Sequence, residues 1–95
     1  MLDQFAVYIL ANTNGQRPIL YVGVTRNLSR RLQEHRNAPR GFVRKYKTTR
    51  LVYVEEAEGP IAAFHRESQI KGWTREKKLA LIAKRNPGFH DLVQM

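Results

Sequence analysis

The sequence predicts one small domain of the α+β or α/β class, with its elements in the order β-β-α-β-α-α. The length of 95 residues suits a single domain with one modest core. Short runs of β-branched and aromatic residues indicate three strands, and runs preceded by capping residues indicate three helices. We therefore expect one domain over residues 1–95, in which helices cover one or both faces of a small sheet.

The first half predicts a hairpin followed by a helix. Residues 5–10 and 19–23 are the two strand-like runs, and Asn14-Gly15 between them favours a turn because both residues tolerate positive φ. Thr25 and Asn27 are alternative N-caps for a helix over residues 28–37. The segment Pro39-Arg40-Gly41 is expected to end that helix.

The second half predicts a strand and two more helices. A basic segment at 42–47 is expected to be a loop or short turn, and residues 50–55 form the third strand-like run. Gly59 followed by Pro60 fits the start of a helix reaching about residue 73. Thr74 is positioned to cap a last helix over residues 75–84.

The charge of the chain predicts a polyanionic partner. Lysine and arginine outnumber aspartate and glutamate by 17 to 8, which gives a net charge of +9. Such a surplus favours nucleic acid through steering and counterion release. An anionic membrane is less favoured, because no helix pairs a basic face with a bulky apolar one.

Other features of the composition narrow the chemistry and the compartment. With no cysteine, disulfides, thiolate nucleophiles and cysteine-ligated zinc are excluded. The three histidines are too scattered for a zinc site. No apolar run is long enough for a membrane span and no secretory leader is expected, so we predict a cytoplasmic protein without membrane contact.

Two tyrosines and two residues of the first predicted helix are candidates for catalysis. Tyr8 and Tyr21 lie at the centres of the first two strand-like runs, and Arg31 and His35, four residues apart, share one side of the first helix. One interpretation is purely structural: the tyrosines are ordinary strand aromatics, and His35 interacts favourably with the dipole at the C-terminal end of the helix. The other is a catalytic cluster between the hairpin and the helix.

Glu67 is the most informative acid. It falls on a helical face that Ala63, Phe64 and Ile70 mark as apolar. Burying an unpaired carboxylate costs several kcal/mol, so Glu67 must be paired, protonated or bound to a metal. The periodicity leaves two alternatives open, an ion pair with Lys71 one turn away or a metal ligand at the floor of a cleft. The absence of clustered carboxylates argues against a nuclease that clamps two metal ions.

In order along the chain, these residues resemble the GIY-YIG nuclease family, and in particular its compact single-domain branch of predicted endonucleases. The match runs from Phe5 to about Leu92 and departs from the pattern at Ala6, where the first motif has glycine. The segments that carry it are Ala6-Val7-Tyr8, Tyr21-Val22-Gly23, Asn27-Leu28, Arg31-Leu32, His35, Glu67-Ser68-Gln69-Ile70-Lys71-Gly72-Trp73, Asn86-Pro87 and Asp91-Leu92.

The resemblance implies an α+β fold with a three-stranded antiparallel sheet flanked by helices. It also implies hydrolysis of DNA phosphodiester bonds with one Mg²⁺ or Mn²⁺ ion, for which Glu67 is the ligand. The expected catalytic positions are Tyr8, Tyr21, Arg31, His35, Glu67 and Asn86. DNA is the expected partner, and RNA is less favoured.

The remaining expectations concern contacts and rival functions. Tyr8 is the candidate base, with its pKa lowered by a nearby cation such as Arg31; alternatively it orients the water while His35 relays the proton. The rivals are a binding module that keeps the fold without cleaving, and a basic RNA-binding or ribosome-associated protein. We expect a monomer or weak homodimer. The alternatives for targeting are a preference for a DNA structure, weak and broad cleavage, and a partner protein. The predicted nucleic-acid contacts are Arg26, Arg30, Lys45, Tyr46 and Lys71.

Overall fold

The protein is a three-stranded antiparallel sheet covered by helices on both faces, as expected. The computed structural model describes residues 4–12, 18–37 and 50–92, without the Arg36 side chain. The hairpin turn and the basic segment at 42–47 therefore lie outside the described residues. The elements are β1 Phe5–Ala11, β2 Leu20–Thr25, α1 Leu28–Arg36, β3 Arg50–Ala57, α2 Pro60–Lys71 and α3 Arg75–Arg85.

The first strand lies at the centre of the sheet. The strand order is β2-β1-β3, and β1 pairs antiparallel with both neighbours. In the β1–β3 ladder the register shifts after Ile9, so that Ile9 faces Tyr53 and Leu10 faces Leu51. The extra residue, Val52, has no register partner, as in a β-bulge.

Buried side chains form one cluster on each face of the sheet. Alternate residues of β1 point to opposite faces. Val7 and Ile9 belong to the cluster that contains Ile70 of α2 and Ile82 of α3. Tyr8 and Leu10 belong to the other cluster, together with Leu32 of α1. The helices are thus divided, with α1 on one face and α2 and α3 on the other.

Side-chain caps fix the starts of two helices. Asn27, and not Thr25, is the N-cap of α1, since its Oδ1 accepts from the Arg30 amide at 3.1 Å. The Thr25 Oγ1 instead accepts from the Asn27 amide at 3.1 Å, which stabilises the turn before the helix. Thr74 caps α3, as the sequence predicted.

An ion pair that the sequence did not indicate holds α2 against β3. The Arg66 Nε and Nη2 atoms donate to the two oxygens of Glu55 at 2.8 and 3.1 Å, and the Tyr53 hydroxyl donates to the same carboxylate at 2.6 Å. Burial alone would raise the pKa of Glu55, but these hydrogen bonds hold it below its usual value. Because Glu67 follows Arg66 directly, this anchor also positions Glu67.

The prediction that Phe64 belongs to the apolar face of α2 is wrong. Phe64 is 52% exposed, whereas Ala63 and Ile70 are completely buried. Residues 63 and 70 are seven apart and therefore nearly aligned along the helix, while residue 64 is turned by about 100° from that line. The small Ala63 lets α2 approach the sheet along a line that excludes Phe64.

This burial pattern predicts a clear difference in stability between two truncations of α2. Ile70→Ala should lower the free energy of unfolding by about 2–5 kcal/mol, because it leaves a cavity in the core. Phe64→Ala should change it by less than about 1 kcal/mol. Urea denaturation of both variants is the measurement, and a loss of several kcal/mol for Phe64→Ala would contradict the placement of that ring.

Within the described ranges, no helix has both the length and the apolar character that crossing a bilayer requires.

Candidate active site

Three aromatic rings from three different elements meet on the α1 face of the sheet. Tyr8 of β1 and Tyr21 of β2 have ring centroids 6.3 Å apart. The His35 ring of α1 lies 5.9 Å from Tyr8 and 5.2 Å from Tyr21, in an edge-on arrangement with the latter. The structure therefore brings together the two tyrosines and the histidine that the sequence singled out.

A hydrogen bond joins the buried tyrosine to the histidine. The Tyr8 Oη and the His35 Nε2 are 2.8 Å apart. Tyr8 has no exposed surface, whereas His35 is half-buried. Of this pair, His35 is the member that solvent reaches.

The environment of Tyr8 keeps its phenol neutral. Burial is the main cause that raises the pKa of Tyr8 well above its usual value, and the nearby Tyr21 and Glu67 add to it. Arg31 acts in the opposite direction, through its charge and a hydrogen bond, but does not outweigh burial. The expectation that Arg31 would lower the Tyr8 pKa overall is therefore wrong for the protein alone, because desolvation of the phenol dominates.

Gly23 makes room for the Tyr8 ring, a role that sequence analysis missed. The two residues are register partners across β1 and β2. A Cβ atom at position 23 would lie 2.6 Å from both Cζ and Oη of Tyr8. The glycine at the end of the segment Tyr21-Val22-Gly23 is thus explained by the Tyr8 phenol that lies against it. The hairpin register, which pairs Gly23 with Tyr8, is the signal that could have indicated this role.

We expect Gly23→Ala to displace the Tyr8 ring. Because Tyr8 is completely buried, the ring cannot move without disturbing its neighbours, and such overpacking typically costs about 1–3 kcal/mol. Thermal unfolding and the NMR signals of the His35 ring are the measurements. Gly59→Ala is the matched control, since a Cβ at position 59 meets nothing within 4 Å. Equal behaviour of the two variants would contradict this role of Gly23.

The environment of His35 favours its neutral form. Burial, and next the positive charge of Arg31, lower the pKa of His35 below its usual value, while Glu34 acts in the opposite direction. A neutral imidazole near neutral pH is able to accept a proton.

This lowered pKa predicts how stability depends on pH. Below about pH 6.5 the unfolded chain protonates its histidine, whereas the folded protein resists protonation of His35 until the pH reaches the lower folded-state pKa. His35 therefore contributes stability that is fully present above pH 6.5 and is lost as the pH falls between these two values. Urea unfolding at neutral and mildly acidic pH should show this decline, and His35→Asn should make it smaller. An unchanged decline in the variant would refute the assignment.

Arg31 extends from α1 towards the aromatic cluster and is also paired with an acid on its own helix. Its Nε lies 3.3 Å from the Glu34 Oε1, and the Nε of Arg30 lies 3.2 Å from the Oε2 of the same carboxylate. Sequence analysis did not single out Glu34, although its spacing of three and four residues from the two arginines is the usual one for helical ion pairs.

Glu67 lies on the buried side of α2, between Ala63 and Ile70. Its side chain is only 17% exposed, and its Oε2 is 3.3 Å from the Lys71 Nζ. The ion pair that the sequence offered as one alternative is therefore present. Because the Lys71 side chain is 55% exposed, it can leave this carboxylate at small cost. The effect of Glu67 on the pKa of Tyr8 places its charge within electrostatic reach of the aromatic cluster.

The residues present fit a weakly held divalent cation better than a closed metal centre. Among the described residues, no three acidic, histidine or cysteine side chains are grouped as metal ligands. Mg²⁺ commonly binds through one or two carboxylates and completes its shell with water and substrate phosphate. A largely buried carboxylate such as that of Glu67 matches that pattern.

Asn86 is held by backbone groups of β3 and of the turn after α3. It is buried at the end of α3, where its amide nitrogen donates to the carbonyls of Val52 and His90 at 3.2 and 2.9 Å. Its Oδ1 accepts from the His90 amide at 3.1 Å. Within the described ranges, Asn86 takes no part in the hydrogen bonds, ring contacts and ion pairs that join the residues above. Its observed task is to hold the turn after α3 against β3, and its catalytic role stays a prediction without geometric support.

The predicted nucleic-acid contacts fall into three groups. Arg26 and Arg30 line a pocket of about 380 Å³ at the start of α1, together with Arg31. Lys71 lies beside Glu67 and is exposed on α2. Lys45 and Tyr46 lie outside the described residues.

Comparisons with known proteins agree with this geometry. The family model for the GIY-YIG catalytic domain matches residues 4–80. UPF0213 proteins of Staphylococcus aureus strains Mu3, Mu50 and N315 are each 38% identical over 88 residues, which cover 88% of this chain and 100% of the relative. No solved structure matches the chain significantly. With its antiparallel sheet of three strands and its paired tyrosines, the chain belongs to the GIY-YIG family.

Proposed function

We propose that the protein is a DNA endonuclease that hydrolyses phosphodiester bonds with one Mg²⁺ or Mn²⁺ ion. The observation that carries this proposal is the convergence of Tyr8, Tyr21, Arg31 and His35 in one cluster within electrostatic reach of Glu67. Phosphodiester hydrolysis needs a site for the phosphate, an acceptor for the proton of the attacking water, and stabilisation of the leaving oxygen. The cluster and Glu67 together offer one group or pair for each of these needs.

The phosphate is held by Arg31 and Tyr21. The Arg31 side chain is 41% exposed, and its guanidinium presents a fork of donors that suits two phosphate oxygens. Tyr21 is half-buried at the solvent side of the cluster, and its hydroxyl is able to donate to a phosphate oxygen or to hold the attacking water. Binding at these two groups places the phosphorus in front of the Tyr8–His35 pair.

The proton of the attacking water ends on His35. Because the pKa of Tyr8 is raised and that of His35 is lowered, Tyr8 rests as a neutral phenol and His35 as a neutral imidazole. The water gives its proton to the imidazole of His35, which is the member of the pair that solvent reaches, while the Tyr8 hydroxyl holds the ring in place through its contact with Nε2. The new P–O bond forms as His35 becomes positively charged, and the bond between phosphorus and the leaving oxygen breaks. Tyr8 stays neutral, and the imidazolium returns its proton to the leaving oxygen.

Glu67 is the residue that would hold the metal ion. A divalent cation bound there supplies Lewis-acid stabilisation of the phosphate charge and of the leaving oxygen. The Lys71 ammonium, which occupies the carboxylate at 3.3 Å, is then free to contact the DNA backbone. One carboxylate is a small ligand set, so we expect metal and DNA to bind together.

DNA is the proposed substrate because of the net charge and the family. The net charge of +9 favours a polyanion, and GIY-YIG membership favours a nuclease over a ribosome-associated protein. A cytoplasmic location, a monomeric or weakly dimeric state and a targeting partner stay predictions.

The proposal is tested by incubating the protein with supercoiled, branched and single-stranded DNA, with Mg²⁺, with Mn²⁺ and with a chelator. We expect cleavage of at least one substrate with either metal and none with the chelator. DNA binding without cleavage across all substrates and metals would instead show a binding module that keeps the fold.

A further inference from the structure

We propose that the pocket at the start of α1 binds the DNA phosphate next to the scissile one, and that Glu34 occupies Arg30 and Arg31 until the two DNA phosphates displace it. The inference rests on the proposed function, since it assigns the pocket to the same DNA strand. It adds a second phosphate site and an internal competitor for it.

The pocket is basic and of suitable size. Its volume of about 380 Å³ lies within the range of about 300–1,000 Å³ that is usual for small-ligand sites. Three arginines contribute to its walls, and Glu34 is the acid among its lining residues. The complete lining is Thr25, Arg26, Asn27, Arg30, Arg31 and Glu34.

The position of Arg31 joins this pocket to the catalytic cluster. Arg31 lines the pocket and also acts on the phenol of Tyr8. A DNA strand whose scissile phosphate meets Arg31 therefore carries its neighbouring phosphate towards Arg26 and Arg30. Guanidinium groups bind phosphate oxygens through two parallel hydrogen bonds, so this wall suits a phosphodiester.

Glu34 holds the arginines in the way that a phosphate would. Its two carboxylate oxygens contact one arginine each, Arg30 at 3.2 Å and Arg31 at 3.3 Å. The side chains of Glu34 and Arg30 are 51% and 75% exposed, so this pairing is weak in water and easily exchanged. A DNA phosphate competes for the same donors, and Glu34 must give them up when DNA binds.

The test measures DNA affinity by fluorescence anisotropy, with a labelled duplex and its single strand, in the presence of a chelator. Glu34→Gln should bind DNA about three- to tenfold more tightly than wild type, because the competitor is lost. Glu76→Gln is the matched control, because it removes the same charge from an exposed site in the first turn of α3. Lys84 is an exposed cation in the last turn of α3, so Lys84→Gln is the control for Arg30→Gln. Arg30→Gln should bind DNA more weakly than Lys84→Gln, and the salt dependence of its binding should fall by about one phosphate contact.

The outcomes separate this inference from the proposed function. Equal affinities of Glu34→Gln and Glu76→Gln, or of Arg30→Gln and Lys84→Gln, would show that only net charge matters and would overturn the inference. Because no metal is present, a failure of cleavage leaves these affinities interpretable. The gains and losses expected here would stand even if the protein did not cleave DNA.

Discussion

Replacing Glu67 by alanine should abolish DNA cleavage and leave DNA binding intact. The carboxylate is the one acid among the described residues that is both nearly buried and within reach of the aromatic cluster. Stabilisation of phosphate charge by a metal is worth several kcal/mol, so its loss should slow cleavage by at least about a thousandfold. Affinity should not decrease, since the change removes a negative charge from the DNA-binding face.

Two further variants make this result specific. Glu67→Gln keeps the size of the side chain and should lose cleavage to the same extent. Glu76→Gln removes an exposed acid from α3 and should cleave at the wild-type rate. Cleavage by Glu67→Ala at the wild-type rate would show that the metal is held elsewhere.

Replacing Tyr8 by phenylalanine should slow cleavage by about 10²- to 10⁴-fold, the usual contribution of a positioned proton-transfer group. The variant keeps the ring and removes the oxygen that lies 2.8 Å from the His35 Nε2. The imidazole, which takes up the proton of the attacking water, then loses the partner that positions it. The free energy of unfolding should change by only about 1 kcal/mol, because water can reach His35 and replace the lost partner.

Tyr53→Phe is the matched control for this prediction. Tyr53 is also a buried tyrosine, at 3% exposed, and its hydroxyl donates to a carboxylate, that of Glu55. It lies in the other hydrophobic cluster, away from His35. Tyr53→Phe should therefore alter stability and spare cleavage, and similar losses of cleavage in both variants would contradict the role assigned to Tyr8.

The element order was predictable because local signals and packing agree in most of this chain. The strands show β-branched runs, and Asn27, Pro60 and Thr74 mark the helix starts. Phe64 was misplaced because the faces of α2 differ little in hydrophobicity. The residues that α2 buries are Ala63 and Ile70, and the small size of Ala63 gives no strong signal for that face. The bulge at Val52 depends on how β1 and β3 pair, which no local pattern indicates.

The candidate site was predictable as a set of residues and not as an electrostatic arrangement. The spacing singled out the tyrosines, Arg31 and His35, and periodicity singled out Glu67. The family resemblance then gave these residues catalytic roles. The sequence could not show that burial outweighs Arg31 at the Tyr8 phenol, because desolvation depends on tertiary packing. Asn86 was expected at the site from its motif alone, whereas its amide is used to hold the turn after α3.

The most direct test of the account is the single-turnover rate of DNA cleavage with Mg²⁺ for four proteins: wild type, Tyr8→Phe, Glu67→Gln and the double variant. Residues that act on the same step as a unit show non-additive losses. We predict that each single variant loses at least about a hundredfold and that the double variant is scarcely slower than the slower single one. Cleavage at the wild-type rate by either single variant would contradict the account, and so would losses that simply multiply in the double variant.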